Sequence, residues 1–221
     1  MEIYYLWILI ASIFGFSVSA IFAGWLSLPR NTYLLFYIPL SGALFVVFIY
    51  SAEISMAELL IHHWYWGLAG AAVALVIVVR NVLSQPSSPR NKGIAFLRDL
   101  LWPGFLYGLV DSLLLSVLPV LAIREALANA HWTDHWTGSI GLGAIALGAS
   151  FLVTAVYHLG YPEFRNKKVL WTLLGNGVMT LAFLLTMNPL AAILPHVAMH
   201  ITAMVHGRKT TGQVPPHAHQ K

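Results

Sequence analysis

Seven stretches almost free of charge, near residues 3–25, 33–50, 59–79, 101–122, 138–158, 169–187 and 190–205, alternate with short segments that carry Arg, Lys, Pro or Gly. A bilayer core about 30 Å thick needs about 20 apolar residues of helix to cross it. The pattern therefore predicts an all-α integral membrane protein of about seven transmembrane helices. The first stretch is preceded by Glu2 instead of a basic region and lacks a small-residue cleavage site, so it reads as a retained helix.

Composition narrows that reading. Of 221 residues, 58% are hydrophobic and only 9% charged, and the mean hydropathy is +0.74. Soluble domains lie far from such values. Seven helices and their loops use up the chain, which leaves no separate soluble domain. Because the chain has no cysteine, disulfides, thiolate metal sites and a cysteine nucleophile are excluded.

The net charge of +4 does not point to nucleic acid, because the basic residues are scattered through loops and form no stripe. Counted by alternate loops, Arg30, Arg80, Arg90, Lys92, Arg98, Arg165, Lys167, Lys168, Arg208, Lys209 and Lys221 fall on one side, and Arg124 alone on the other. The positive-inside rule then puts the N-terminus outside and the C-terminus in the cytoplasm, in a plasma or inner cell membrane. Removing one span would scramble the split, so the charges count seven independently. The Pro- and Ser-rich "RNVLSQPSSPRNKG" at 80–93 predicts a flexible cytoplasmic linker. The chain thus divides into a three-helix part (1–79), a linker (80–100), a four-helix core (101–206) and a disordered tail (207–221). No repeat relates the two halves.

Chemistry enters with the polar residues that lipid should exclude. Asp111, in "LYGLVDSLLLSVLP", is the only acid expected deep within a span, where an unpaired charge costs several kcal/mol. His158 ends the fifth stretch. In "PHVAMHITAMVHG", His196 and His200 are four residues apart, about 40° around a helix and about 6 Å along it, so both rings share a face. That spacing suits two ligands of one metal, or a base and its orienting partner. His206 falls off that face and reads as a solvated terminal residue. Asn176 is a further polar position within a span, and Asn188–Pro189 reads as the tight turn between the last two helices. His62 and His63, among Trp64, Tyr65 and Trp66, read as an aromatic interfacial belt. His131, Asp134 and His135 read as a solvated loop, and His217 and His219 as part of the disordered tail.

An acid in the fourth stretch, a histidine ending the fifth in "SFLVTAVYHLG", and a final "NPLAAILPHVAMHITA" resemble the CPBP family of membrane proteins, which includes the CAAX prenyl endopeptidases and bacteriocin self-immunity proteins. Its pattern is a glutamate pair followed by Arg, then F-x-x-x-H, then H-x-x-x-N, each on its own helix. Over residues 100–206 His158 is similar to the second-motif histidine, His196 to the third, and Asp111 falls in the region of the glutamate motif. Here Asp111-Ser112 replaces the pair, the Arg is absent, Thr154 precedes His158 by four, and His200 stands in place of Asn. The resemblance implies hydrolysis, with a carboxylate activating water and His and Asn stabilising the oxyanion.

The expectation is an intramembrane site in which Asp111 is the general base, His158 and His196 orient water and stabilise the oxyanion, and His200 is a donor or metal ligand. Its substrate would be a membrane-embedded peptide or lipid. Read as ligands, His158, His196 and His200 beside Asp111 would hold a divalent metal such as zinc, as in a metal-dependent lipid hydrolase. Two alternatives stand beside it. One is a non-catalytic scaffold or accessory subunit bound to a membrane protein partner; the other is a haem-binding protein using His158 and a last-helix histidine.

Overall fold

The structure is a computed structural model that describes residues 2–128 and 135–207. His131 and Asp134, with Arg208, Lys209, His217, His219 and Lys221, lie outside the described residues. Among the described residues every regular element is helical. Helix α1 is Glu2–Val18, prolonged by a π-helical Ser19–Trp25; α2 is Arg30–Ser51, α3 Met56–Ile61 and α4 Trp64–Leu83. A continuous helix α5, Gly93–Leu127, is followed by α6, Trp136–Leu159, α7, Lys168–Thr186, and α8, Leu190–His206.

Six of these, α1, α2, α4, α5, α6 and α7, are long and apolar enough to cross a membrane. Helix α8 is apolar but has 17 residues, at the short end of the spanning range. All seven expected stretches are thus helical, with altered ends. The third begins at Trp64 because His63 turns the chain through a left-handed conformation, φ 50°, which separates the short α3. The irregular connection after α4 covers 84–92, less than the expected 80–93.

Helix α5 is the axis of the bundle. In its most apolar window 83% of the residues are buried, against 28–39% in the other five long helices. Helices α1, α2, α6, α7 and α8 pack against it, and α4 packs on α7 and α8; the bundle turns apolar side chains such as Leu9, Val46, Val73 and Leu185 outward, as a lipid solvent permits. Helix α5 is also irregular: π-helical turns at Leu100–Leu106 and Leu113–Val117 flank a regular Tyr107–Ser112 that carries Asp111. Such turns re-aim side chains and recur at functional sites.

Small residues let α8 lie against α5. A Cβ on Gly108 would stand 2.9 Å from the Cα of Val197 and 3.1 Å from His200 Cδ2, and one on Gly104 3.3 Å from Ile201. Gly104 and Gly108 form a G-x-x-x-G pair, which lets two helix backbones approach closely in lipid. Three residues after Gly108, Asp111 lies on the same face, so the contact brings Asp111 against the histidines of α8.

Three residues depart from expectation. Asp111 is not the sole buried acid, because Asp99 is 2% exposed in the first turns of α5; there it accepts from Asn91 Nδ2 at 2.7 Å and lies 3.7 Å from Arg98. Arg30 belongs to α2, not to a loop, and is buried. His206 is not a solvated end: its Nε2 donates to the Gln85 carbonyl at 2.7 Å and ties α8 to the segment after α4. The exposed His62, His63, Trp64, Tyr65 and Trp66 fit an aromatic belt, and His135 is exposed as a loop residue should be.

Candidate metal centre

Asp111, His196 and His200 converge at the contact of α5 and α8, each offering a ligand atom within 4.8 Å of the others. Asp111 accepts on both oxygens, Oδ1 from the Tyr37 hydroxyl at 2.6 Å and Oδ2 from His196 Nε2 at 3.2 Å. His200 Nε2 lies 3.9 Å from the same Oδ2. The two imidazoles, on one face of α8, are nearly parallel, with ring centres 5.2 Å apart and a 21° tilt. All three residues are 3% exposed or less.

The hydrogen-bond account of this site does not close. Neither ring nitrogen of His200, nor Nδ1 of His196, has a hydrogen-bond partner among the described residues, although all three atoms are buried. Leaving a buried polar atom unsatisfied costs about 1–3 kcal/mol. Of the three, His200 Nε2 is the one that stands beside the carboxylate, 3.9 Å from Oδ2, and is left free to bind something other than protein.

The set fits a divalent ion. Ligands about 2.0–2.1 Å from a tetrahedral zinc stand about 3.3 Å from each other; the spacings of 3.2 and 3.9 Å from Asp111 Oδ2 are near that value, and the two histidine nitrogens, within 4.8 Å of each other, would close by up to about 1.5 Å through side-chain rotation. Two histidines and one carboxylate leave further coordination positions for water or substrate. Tyr37 donates to the oxygen that does not face the histidines, the kind of outer bond that would orient the carboxylate as a ligand.

His158 stands apart from this group. Its Nδ1 donates to the Thr154 carbonyl at 2.8 Å, which fixes the tautomer and leaves Nε2 as the basic nitrogen. It lines, with Asp111, His196 and His200, one cavity of about 560 Å³ bounded by α4, α5, α6, α7 and α8. The four expected residues therefore meet at one cavity, but three form the tight cluster and the fourth faces the same space.

Sequence reasoning missed the aromatic wall behind the site. Tyr33, Tyr37, Tyr107, Tyr157 and Tyr161 are buried, and the hydroxyl of Tyr157 contacts those of Tyr107 at 3.0 Å, Tyr161 at 2.7 Å and Tyr33 at 3.3 Å. Tyr107 meets the edge of His200, with ring centres 4.8 Å apart. The four-residue spacings Tyr33/Tyr37 and Tyr157/Tyr161 were the available signal, since buried tyrosines need hydroxyl partners. A second polar group surrounds Asn176. Its Oδ1 accepts from Ser116 at 2.8 Å, and its Nδ2 donates to Ser150 at 2.9 Å and Thr154 at 2.8 Å. Asn188 bonds the carbonyls of Leu59, Leu60 and His62 and caps the start of α8 through Leu190 N.

No protein-family model, no curated protein and no solved structure matches the chain.

Proposed function

We propose that this chain is an intramembrane hydrolase whose centre is a divalent metal ion, zinc in the first instance, held by Asp111, His196 and His200. The observation that carries the reading is His200, a buried imidazole 3.9 Å from a carboxylate, with both nitrogens unpartnered at the inner wall of a cavity. An ion held by these three residues would supply a water of lowered pKa, from about 16 toward 7, and a Lewis acid for a carbonyl. Tyr37 holds Asp111 in its ligating orientation. His158 Nε2 accepts the proton of the attacking water and returns it to the leaving oxygen or nitrogen. Water's O–H bond breaks, a bond forms from its oxygen to the acyl carbon, and the acyl–leaving-group bond breaks, with no change in oxidation state.

This assignment moves the general base from Asp111, whose two oxygens are both engaged, to His158. It takes Asp111 in place of His158 as the third ligand. The resemblance to the CPBP proteins supports the same residues and a hydrolytic role, with the histidine at position 200 in place of Asn adding the extra ligand. The split of basic residues supports an N-terminus outside and a cytoplasmic C-terminus, which would put the cavity's Lys168 rim on the cytoplasmic side.

The test is metal analysis of the purified full chain beside turnover of a membrane-inserted acyl ester. Wild type should carry about one zinc per chain and cleave the ester. His158→Gln should keep the zinc and lose turnover by about 10²- to 10⁴-fold, the usual contribution of a general base. Full zinc in His200→Ala would overturn the ligand assignment. A metal-free, inactive wild type would leave the scaffold reading in its place.

A further inference from the structure

The lining of the cavity bears on what could enter it. Beyond the histidines it is bounded by Ile77 and Val78 of α4 and by Leu174, Val178 and Met179 of α7. Three lining residues on these helices are also turned outward: Ile77 is 50% exposed, Trp171 74% and Leu174 60%. In a spanning helix such exposure faces lipid. The cavity is therefore open sideways, between α4 and α7, toward the acyl region of the bilayer.

The apolar part of the lining suits a hydrocarbon chain. Where the wall is Ile77, Val78, Leu174, Val178 and Met179, an extended peptide would bring an N–H and a C=O about every 3.3 Å past side chains that offer no hydrogen-bond partner, at a cost of several kcal/mol for each group left unmet. The amide of Asn176, which also lines the cavity, is already taken up by Ser116, Ser150 and Thr154. A hydrocarbon chain carries no such groups.

At the other end the lining turns polar. Asn81 and Gln85, in and after the last turn of α4, meet Lys168, the first residue of α7 and the cavity's one lining cation among the described residues. His200 is six residues from His206, which is bonded to Gln85, so the metal centre lies about 9 Å inside that rim.

We infer that the substrate is a single-chain acylated amphiphile that enters sideways between α4 and α7, with an anionic head at Lys168, its acyl linkage at the centre and its chain between Ile77 and Leu174. The inference rests on the proposed hydrolytic site, but binding tests it without turnover. Gly175 lines the cavity, and a Cβ built there meets nothing within 4 Å, so a large side chain fits without backbone movement. Val73 is 66% exposed on the same helix as Ile77 but does not line the cavity.

The experiment measures binding of cis-parinaric acid, a fluorescent single-chain carboxylate, to the purified full chain in neutral detergent. Wild type and Val73→Phe should bind one equivalent within twofold of each other, and Gly175→Phe should weaken binding at least tenfold. Lys168→Glu should weaken the acid severalfold while leaving parinaryl alcohol within twofold. Equal binding by wild type and Gly175→Phe, or no binding by wild type, would overturn the inference. His200→Ala with zinc lost and parinarate bound sustains this inference and isolates the metal; zinc-loaded wild type that binds no probe overturns this inference alone.

Discussion

Two buried polar groups lie side by side in the bundle and differ in how well they are satisfied. Around Asn176 the oxygen and both amide hydrogens find hydroxyl partners at 2.8–2.9 Å on α5 and α6, and Ser150 donates onward to the Leu115 carbonyl at 2.7 Å. Around Asp111 the carboxylate is satisfied, but three histidine nitrogens are not. The first group is closed and acts as glue between helices, where each hydrogen bond contributes about 0.6–2 kcal/mol. Both groups border the same cavity, but only the second is left open, with unfilled valences, and these are what the proposed ion would meet. Burial and polarity alone would not separate them; the count of unmet donors and acceptors does.

Removing a member of the open group should change ligand binding with little effect on folding, and the reverse should hold for the closed group. The largest effect is expected from His200→Ala and from Asp111→Asn, each lowering zinc affinity by more than the roughly 100-fold that an outer-shell change costs. Equilibrium dialysis against a competing chelator reads this, while the unfolding midpoint in detergent stays close to wild type for His200→Ala. Next comes Tyr37→Phe, which removes the bond to Asp111 Oδ1 and should cost about 10- to 100-fold in metal affinity while one zinc still binds at saturation. Gly108→Ala follows: its methyl forces α5 and α8 apart, at about 1–3 kcal/mol of overpacking, and should weaken zinc binding together with stability. Asn176→Leu should lose about 1–3 kcal/mol of stability by orphaning its hydroxyl partners and leave zinc affinity within twofold. If Asn176→Leu abolished zinc binding, the two groups would be one network and the distinction would fail.

Much of this was readable from residues in order. Charge-free runs mark the helices because lipid admits almost nothing else, and Asp111, His158, His196 and His200 stand out for the same reason. Pairwise geometry was not readable. Nothing in a run of residues says that His158 turns Nδ1 to its own helix's Thr154 carbonyl, or that Asp111 takes its place beside the α8 histidines. Those depend on the rotation of α5, set by its π-helical turns, and on the α5–α8 approach at Gly104 and Gly108. The glycine pair was visible three residues before Asp111 and is the signal that would have linked the acid to α8. Tyr37 was hidden because tyrosine is ordinary in a membrane helix. Arg30 and Asp99 were hidden because each stands beside a loop, where a charge is normally solvated.

The central claim is that Asp111, His196 and His200 share one ion, and cobalt tests it most directly. Co(II) in place of zinc gives intense visible bands when four-coordinate and faint ones when fully hydrated. The account predicts one equivalent of tightly bound cobalt with the intense spectrum in the full chain, lost in Asp111→Asn, His196→Ala and His200→Ala and retained in Ser116→Ala. A wild-type chain that leaves cobalt hydrated, or a His200→Ala variant with an unaltered spectrum, would contradict it.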